Sequence, residues 1–278
     1  MADGKKLKSK PDFGTIGGVL LAALGIVGGL LLEGGELRDI AQLTAAIIVL
    51  GGTLGAVLIH TPLPVVIGGV KRLGSVFLER SQPYAEVVEQ MIEHATKARK
   101  TGLMALEQEA ANEPDPFLRK ALGLAADGTD LQELRKMLEI EIDQRQHHTE
   151  AEAKVFEAAG GYAPTIGIIG AVMGLIQVMK NLSNIDLVGH GIAVSFVATV
   201  YGVAASNIFF LPAANKIKAR AQAEAQLQEM ILEGTIGIAE GLNPKVIRSK
   251  LEGYIPHSEA KHKPAASSAA TPAPAKAA

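Results

Sequence analysis

Four stretches of this chain carry no charged residue over a length that few protein interiors could bury. Phe13–Leu32 reads FGTIGGVLLAALGIVGGLLL and Ile40–Ile59 reads IAQLTAAIIVLGGTLGAVLI; after a long polar interval come Ala158–Met179 and Gly191–Leu211. A helix needs about 20 mostly apolar residues to cross the hydrocarbon of a bilayer, and in lipid only a helix or a closed barrel satisfies every backbone polar group. The fold class expected is an all-α membrane protein with four transmembrane helices. The average composition, 48% hydrophobic and 20% charged, would suit many soluble proteins, and it misleads because most of the charges lie between the runs. The leader MADGKKLKSK gives the first run the look of a secretory signal, but the run is too long and no A-x-A-like site follows it, so it is expected to be retained.

Orientation follows from Lys and Arg near the span ends. Lys5, Lys6, Lys8 and Lys10 precede the first span, Lys71, Arg72 and Arg80 follow the second, and Lys216, Lys218 and Arg220 follow the fourth. The connections Glu33–Asp39 and Lys180–His190 hold one such residue each and face outward. Residues 1–12 are then a cytoplasmic N-terminus, 13–59 the first two spans, 60–157 a cytoplasmic helical domain, 158–211 the last two spans, and 212–255 cytoplasmic C-terminal helices. Residues 256–278, rich in Ala, Pro, Ser and Lys, cannot bury a core and read as a disordered tail. Both termini are expected inside the cell.

Within 60–157, Val65, Val66, Val70, Leu73, Val76 and Phe77 recur at helical spacing after the Thr61–Pro64 punctuation, which predicts an amphipathic helix. Ser81 before Pro83 predicts a cap for a helix running towards Lys100. Gly102 interrupts, Glu113–Pro116 breaks the pattern again, and Asp130 with Glu133 predicts a capping box. No strong stop follows before Gly160, so a long helix is expected to lead into the third span. After the fourth span a helix is expected over Ala213–Glu233, loosened at Gly234 and Gly241, with a short last element starting at Asn243–Pro244.

Small residues recur every fourth position in the spans, as in Ala163, Gly167 and Ala171 or Ala198, Gly202 and Ser206. Such stripes let helix backbones approach closely, either within this chain or against other chains. The spans contain no Asp, Glu, Lys, Arg or His, whereas an ion crossing hydrocarbon needs an acid or a ligand along its path. Either the protein moves no ion or a partner brings the carboxylate. Thr165 and Thr199 share spans with the densest stripes; each bonds a carbonyl of its own helix or serves an ion path. With no cysteine there is no thiolate nucleophile and no cysteine-ligated metal. His147 and His148 near Glu150 and Glu152 read as a solvated face of a polar helix. No catalytic constellation, cofactor-binding motif or nucleic-acid motif is visible, so no enzyme activity, cofactor or metal is expected.

Three segments carry a resemblance. GYAPTIGIIGAVMGL and SFVATVYGVAASNIFFLPAANKIK resemble the third and fourth membrane helices of the flagellar motor stator family of MotA, sodium-driven relatives included. RKTGLMALEQE, Arg99–Glu109, resembles that family's cytoplasmic signature, an arginine and a glutamate on either side of a glycine. The resemblance implies a multi-pass subunit of the bacterial inner membrane that forms a homo-oligomer, a pentamer, around a dimer of a single-span, peptidoglycan-binding MotB-type subunit whose aspartate binds the ion. Ion flow would become torque on the rotor protein FliG. It also implies roles: Arg99 and Glu107 for rotor binding, Pro164 and Pro212 for torque coupling, and Thr199, Thr165 and Ala171 for the ion path. Proline is tolerated in a first helical turn, which is where Pro164 is expected, whereas Pro212 should kink its helix or remove a backbone bond. Sodium-driven members carry threonine at the Ala171 position; a methyl offers a dehydrated sodium ion no oxygen, so H+ is the expected ion. The alternative is an energiser subunit resembling ExbB or TolQ; those relatives usually have three spans, and four spans with the Arg99–Glu107 pattern disfavour it.

Overall fold

The computed structural model describes residues 10–79 and 84–256. Lys5, Lys6, Lys8, Arg80, the Ser81–Pro83 cap and nearly all of the expected tail lie outside the described residues. The described chain is nearly all helical and divides into two compact units, one of residues 10–79 and 141–225, the other of 84–140 and 226–256. Four of its helical stretches are long and apolar enough to cross a membrane.

In the first unit, α1 (Phe13–Leu32) opens with Asp12, whose carboxylate accepts from Thr15 N–H. No residue of α1 is buried, although its start borders Leu73 and Phe77 of the chain's fifth helical stretch. The second run departs from the unbroken helix expected. A single turn, α2 (Leu37–Ile40), gives way at Ala41 and Gln42 to α3 (Leu43–Ala46), a π-helical segment Ile47–Gly51 and α4 (Gly52–His60). The break is tolerable because Tyr201 meets its backbone groups: the phenol donates to the Ile40 carbonyl and accepts from Gln42 N–H. Amphipathic α5 (Leu63–Phe77) follows with Pro64 in its first turn, burying Val66, Gly69 and Val76. It ends in a minimal antiparallel pairing of β2 (Leu78–Glu79) with β1 (Lys10–Pro11); two residues are too few to leave a periodic signal.

Helix α9 (Leu131–Lys180) is one continuous helix that carries Pro164 in its interior. Within the first unit its buried Glu152 pairs with Arg72 of α5, with His148 Nε2 3.3 Å away. Only Glu152 departs from the solvated face expected, His147 and His148 being exposed; Gly68 explains the fit, since a Cβ there would collide with the Glu152 carboxylate. The last apolar run comprises α10 (Ile185–Ala204), a π-helical segment Ala205–Phe210, and the start of α11 (Leu211–Ala239). At its foot Lys216 and Arg220 both pair with Asp12, and Lys216 Nζ donates to Thr15 Oγ1 at 2.7 Å.

The second unit is built on α6 (Tyr84–Thr101), α7 (Leu106–Asn112), α8 (Pro116–Ala126), parts of α9 and α11, and α12 (Pro244–Glu252). Its core includes Met91, Phe117, Leu122, Leu134, Ile231 and Leu251, all under 2% exposed, enough buried apolar area to hold these short helices together. The sequence pattern marks its starts well. Asp115 caps α8 with Pro116 at its first position, Asp130 accepts from Gln132 and Glu133 N–H, and Asn243 caps α12. Gly234 does not loosen α11: the helix runs through it to Ala239, and the missing side chain makes room for Met91 and Leu251.

Candidate functional site

The membrane part of the site is a backbone-to-backbone seam between α9 and α10. A Cβ on Gly202 would sit 2.5 Å from the Ala163 carbonyl oxygen, and one on Gly167 would sit 2.9 Å from that of Ala198. Further along, Gly174 faces Ser195 and the Gly191 carbonyl, and Gly170 faces Ala198 and Ile48. The small-residue stripes of these spans are therefore filled by their own chain. Of the two alternatives for the stripes, packing within the chain accounts for Gly167, Gly170 and Gly174, whose faces are taken.

The hydroxyls beside this seam work on the backbone. Thr165, exposed, donates to Tyr162 O at 2.8 Å, and Thr199, half-buried, donates to Ser195 O at 3.2 Å. Both thus make the local bond that is ordinary for threonine in a helix. Buried Ser195 bridges the helices, its Oγ lying 2.8 Å from Ala171 O and 2.9 Å from Gly191 O. Ala171 and Thr199 are brought together through Ser195; no such link joins Thr165 to them among the described residues. Thr53, on α4, is buried, and its hydroxyl has no hydrogen-bond partner among the described residues.

Both prolines lie within helix. Pro164 stands deep inside α9, not in a first turn, so its missing amide does cost the helix a bond. The carbonyl it leaves without that donor is Gly160's, and buried Ser206 donates to that oxygen at 2.6 Å. Pro212 follows the π-helical segment, where Leu211 N–H reaches back five residues to Ser206 O. An α-helix would crowd the proline ring against the carbonyl of Ile208; widening the preceding turn relieves this.

In the second unit, Arg99 near the end of α6 and Glu107 in the first turn of α7 are both exposed, and neither forms an ion pair among the described residues. Gly102 joins the helices at φ 89°, a left-handed conformation that costs other residues energy. Arg99 also lines a cleft of about 220 Å³ whose far side is the Ile238–Leu242 turn. Lys97 and Glu109 nearby are bound to each other, and Lys97 holds the Glu109 carboxyl below its usual range. Beneath them His94 is buried, and desolvation pushes its pKa down.

Residues 16–102 match the motility protein A N-terminal family, and 109–230 match the MotA/TolQ/ExbB proton channel family. Motility protein A of Bacillus subtilis is 35% identical over 86% of this chain and 89% of its own length. Motility protein A of Helicobacter pylori is 36% identical over 90% and 97%. The chain belongs to the motility protein A family. Its fold agrees with a solved structure, that of C. jejuni MotAB, at a TM-score of 0.84 and 34% identity, covering 88% of this chain and 96% of that one.

In this motility protein A chain, sequence reasoning named the prolines but missed what supports them. Ser206 and Tyr201 are legible only as polar residues in an apolar span. One signal was available: a proline inside a helix orphans the carbonyl four residues back. Which neighbouring hydroxyl answers it depends on how the helices pack.

Proposed function

We propose that this chain is the channel-forming subunit of a flagellar stator, working with a MotB-type partner to convert ion flow into torque on FliG. The observation that carries this reading is the agreement with C. jejuni MotAB over 88% of the chain. Spans without an ionisable group fit it, because the partner then brings the ion-binding carboxylate. On this reading the chain sits in the bacterial inner membrane as a pentamer around a MotB dimer, with lipid outside. Residues 60–157, 212–255 and both termini are cytoplasmic. Thr199 and Ala171, joined through Ser195, flank the ion path with Thr165, and H+ is the ion. Arg99 and Glu107 present one cation and one anion to complementary charges on the rotor. Pro164 and Pro212 pass the ion's arrival into movement.

The test is complementation: this chain, expressed with its MotB-type partner in a host lacking stators, is expected to restore flagellar rotation. Absence of rotation with both proteins at normal membrane levels would sink the reading.

A further inference from the structure

We propose that Ser206 is a positioning residue for torque coupling, its hydroxyl latching together the two helix defects made by Pro164 and Pro212. The functional half of this rests on the stator reading above; the structural half rests on geometry. Pro164 has no N–H for the Gly160 carbonyl, and Ser206 Oγ donates to that oxygen at 2.6 Å from a position 2% exposed. A serine in a regular helix would ordinarily turn its hydroxyl to its own carbonyl four residues back, as Thr199 does. Ser206 reaches across instead, and it sits in the π-helical segment that precedes Pro212. A π turn carries an extra residue, so it changes which side chain faces α9.

One hydrogen bond thus joins the only backbone acceptor that Pro164 deprives within α9 to the turn that accommodates Pro212. Phe210 of the same segment packs against buried Val76, Phe156 and Ile217, whereas the face turned to α1 is open. Asn207, Ile208, Phe209 and Pro212 border a cleft of about 320 Å³ against Gly14 and Gly18 of α1. The segment is held at Ser206 and Phe210 and has open volume only towards α1, which suits an element that takes two positions. A shift of α9 at Pro164 would draw the Pro212 turn with it through the Ser206 bond.

A double-substitution cycle separates this from ordinary packing. Pro164→Ala restores an amide that can satisfy Gly160 inside α9, which makes the hydroxyl redundant. In the full chain complexed with its partner, Ser206→Ala is expected to lower Tm by about 2–4 °C with Pro164 present and to leave it unchanged in the Pro164→Ala background. In cells, Ser206→Ala is expected to slow rotation severalfold while ion conductance is retained, and Ser206→Thr, which keeps the hydroxyl, to recover rotation. Equal losses of Tm in both backgrounds, or normal rotation with Ser206→Ala, overturn the latch. If the unsubstituted chain and its partner fail to rotate flagella, the stator reading falls, and the Tm cycle alone decides whether Ser206 holds the two defects together.

Discussion

Asp12 caps α1 through Thr15 N–H and pairs with Lys216 and Arg220. The Lys216 hydrogen bond first, and then the Thr15 amide, lower its pKa from 3.8 to about 2. A carboxylate depressed on folding adds stability that is fully present above its unfolded pKa and is lost as pH falls through its folded one. The thermal stability gap between wild type and Asp12→Asn is therefore expected to hold from pH 7 to about pH 4 and to close towards pH 2; a gap that shrinks already near neutrality would refute the assignment. The pKa of buried His94 is depressed as well, but by desolvation rather than by partners. Burial disfavours its charged form, so its contribution is complete above the ordinary histidine value of 6.5 and weakens as pH falls below that. Replacing it with Leu is expected to flatten the stability profile between pH 7 and 5. Neither group could have been singled out from the sequence, because Asp12 is one acid in a leader and His94 one histidine on a helix. Their partners lie in other elements.

The elements themselves were far more legible. Uncharged length marks the spans, and the residues of α1 expected from hydrophobicity, Phe13–Leu32, are those that form it. Caps and punctuation mark α8 and α12, and Gly102 marks the turn between α6 and the segment leading to α7. What was hidden is defect rather than pattern: the break at Ala41–Gln42 and the two π-helical segments leave no periodic trace, and the break depends on Tyr201 in another helix. Where α9 meets α10 the fit is set by absence of side chains. Gly202→Ala would drive a methyl to 2.5 Å from the Ala163 carbonyl, a backbone contact that cannot rotate away. Overpacking of this kind costs about 1–3 kcal/mol, so a matching loss of thermal stability in the purified complex is expected; unchanged Tm would show that the seam is looser than described. At the α6–α7 turn, exchanging the charges as Arg99→Glu with Glu107→Arg is expected to abolish rotation while leaving membrane insertion and stability intact. Wild-type swimming in that double variant would leave the turn an ordinary solvated surface.

At the scale of the whole molecule, membership of the family and the number of candidate spans could both be read from the sequence, because topology and motif residues are local. Ion choice is subtler. Ala171 offers only a methyl, which gives a dehydrated sodium ion no oxygen to replace its water. Swimming is accordingly expected to collapse with a protonophore and to persist without sodium; speed that tracks external sodium would overturn the proton assignment.

The Asp12 clamp also bears on how the protein is made. Its members are 208 positions apart at the widest, so at about 5–20 residues per second the first span leaves the ribosome roughly 10–40 s before Arg220 exists. Throughout that interval α1 lacks the two basic residues that hold its capping Asp12. It can wait only because it is uncharged and meets its backbone needs alone; a charge introduced there would strike during biogenesis, before any finished motor could feel it.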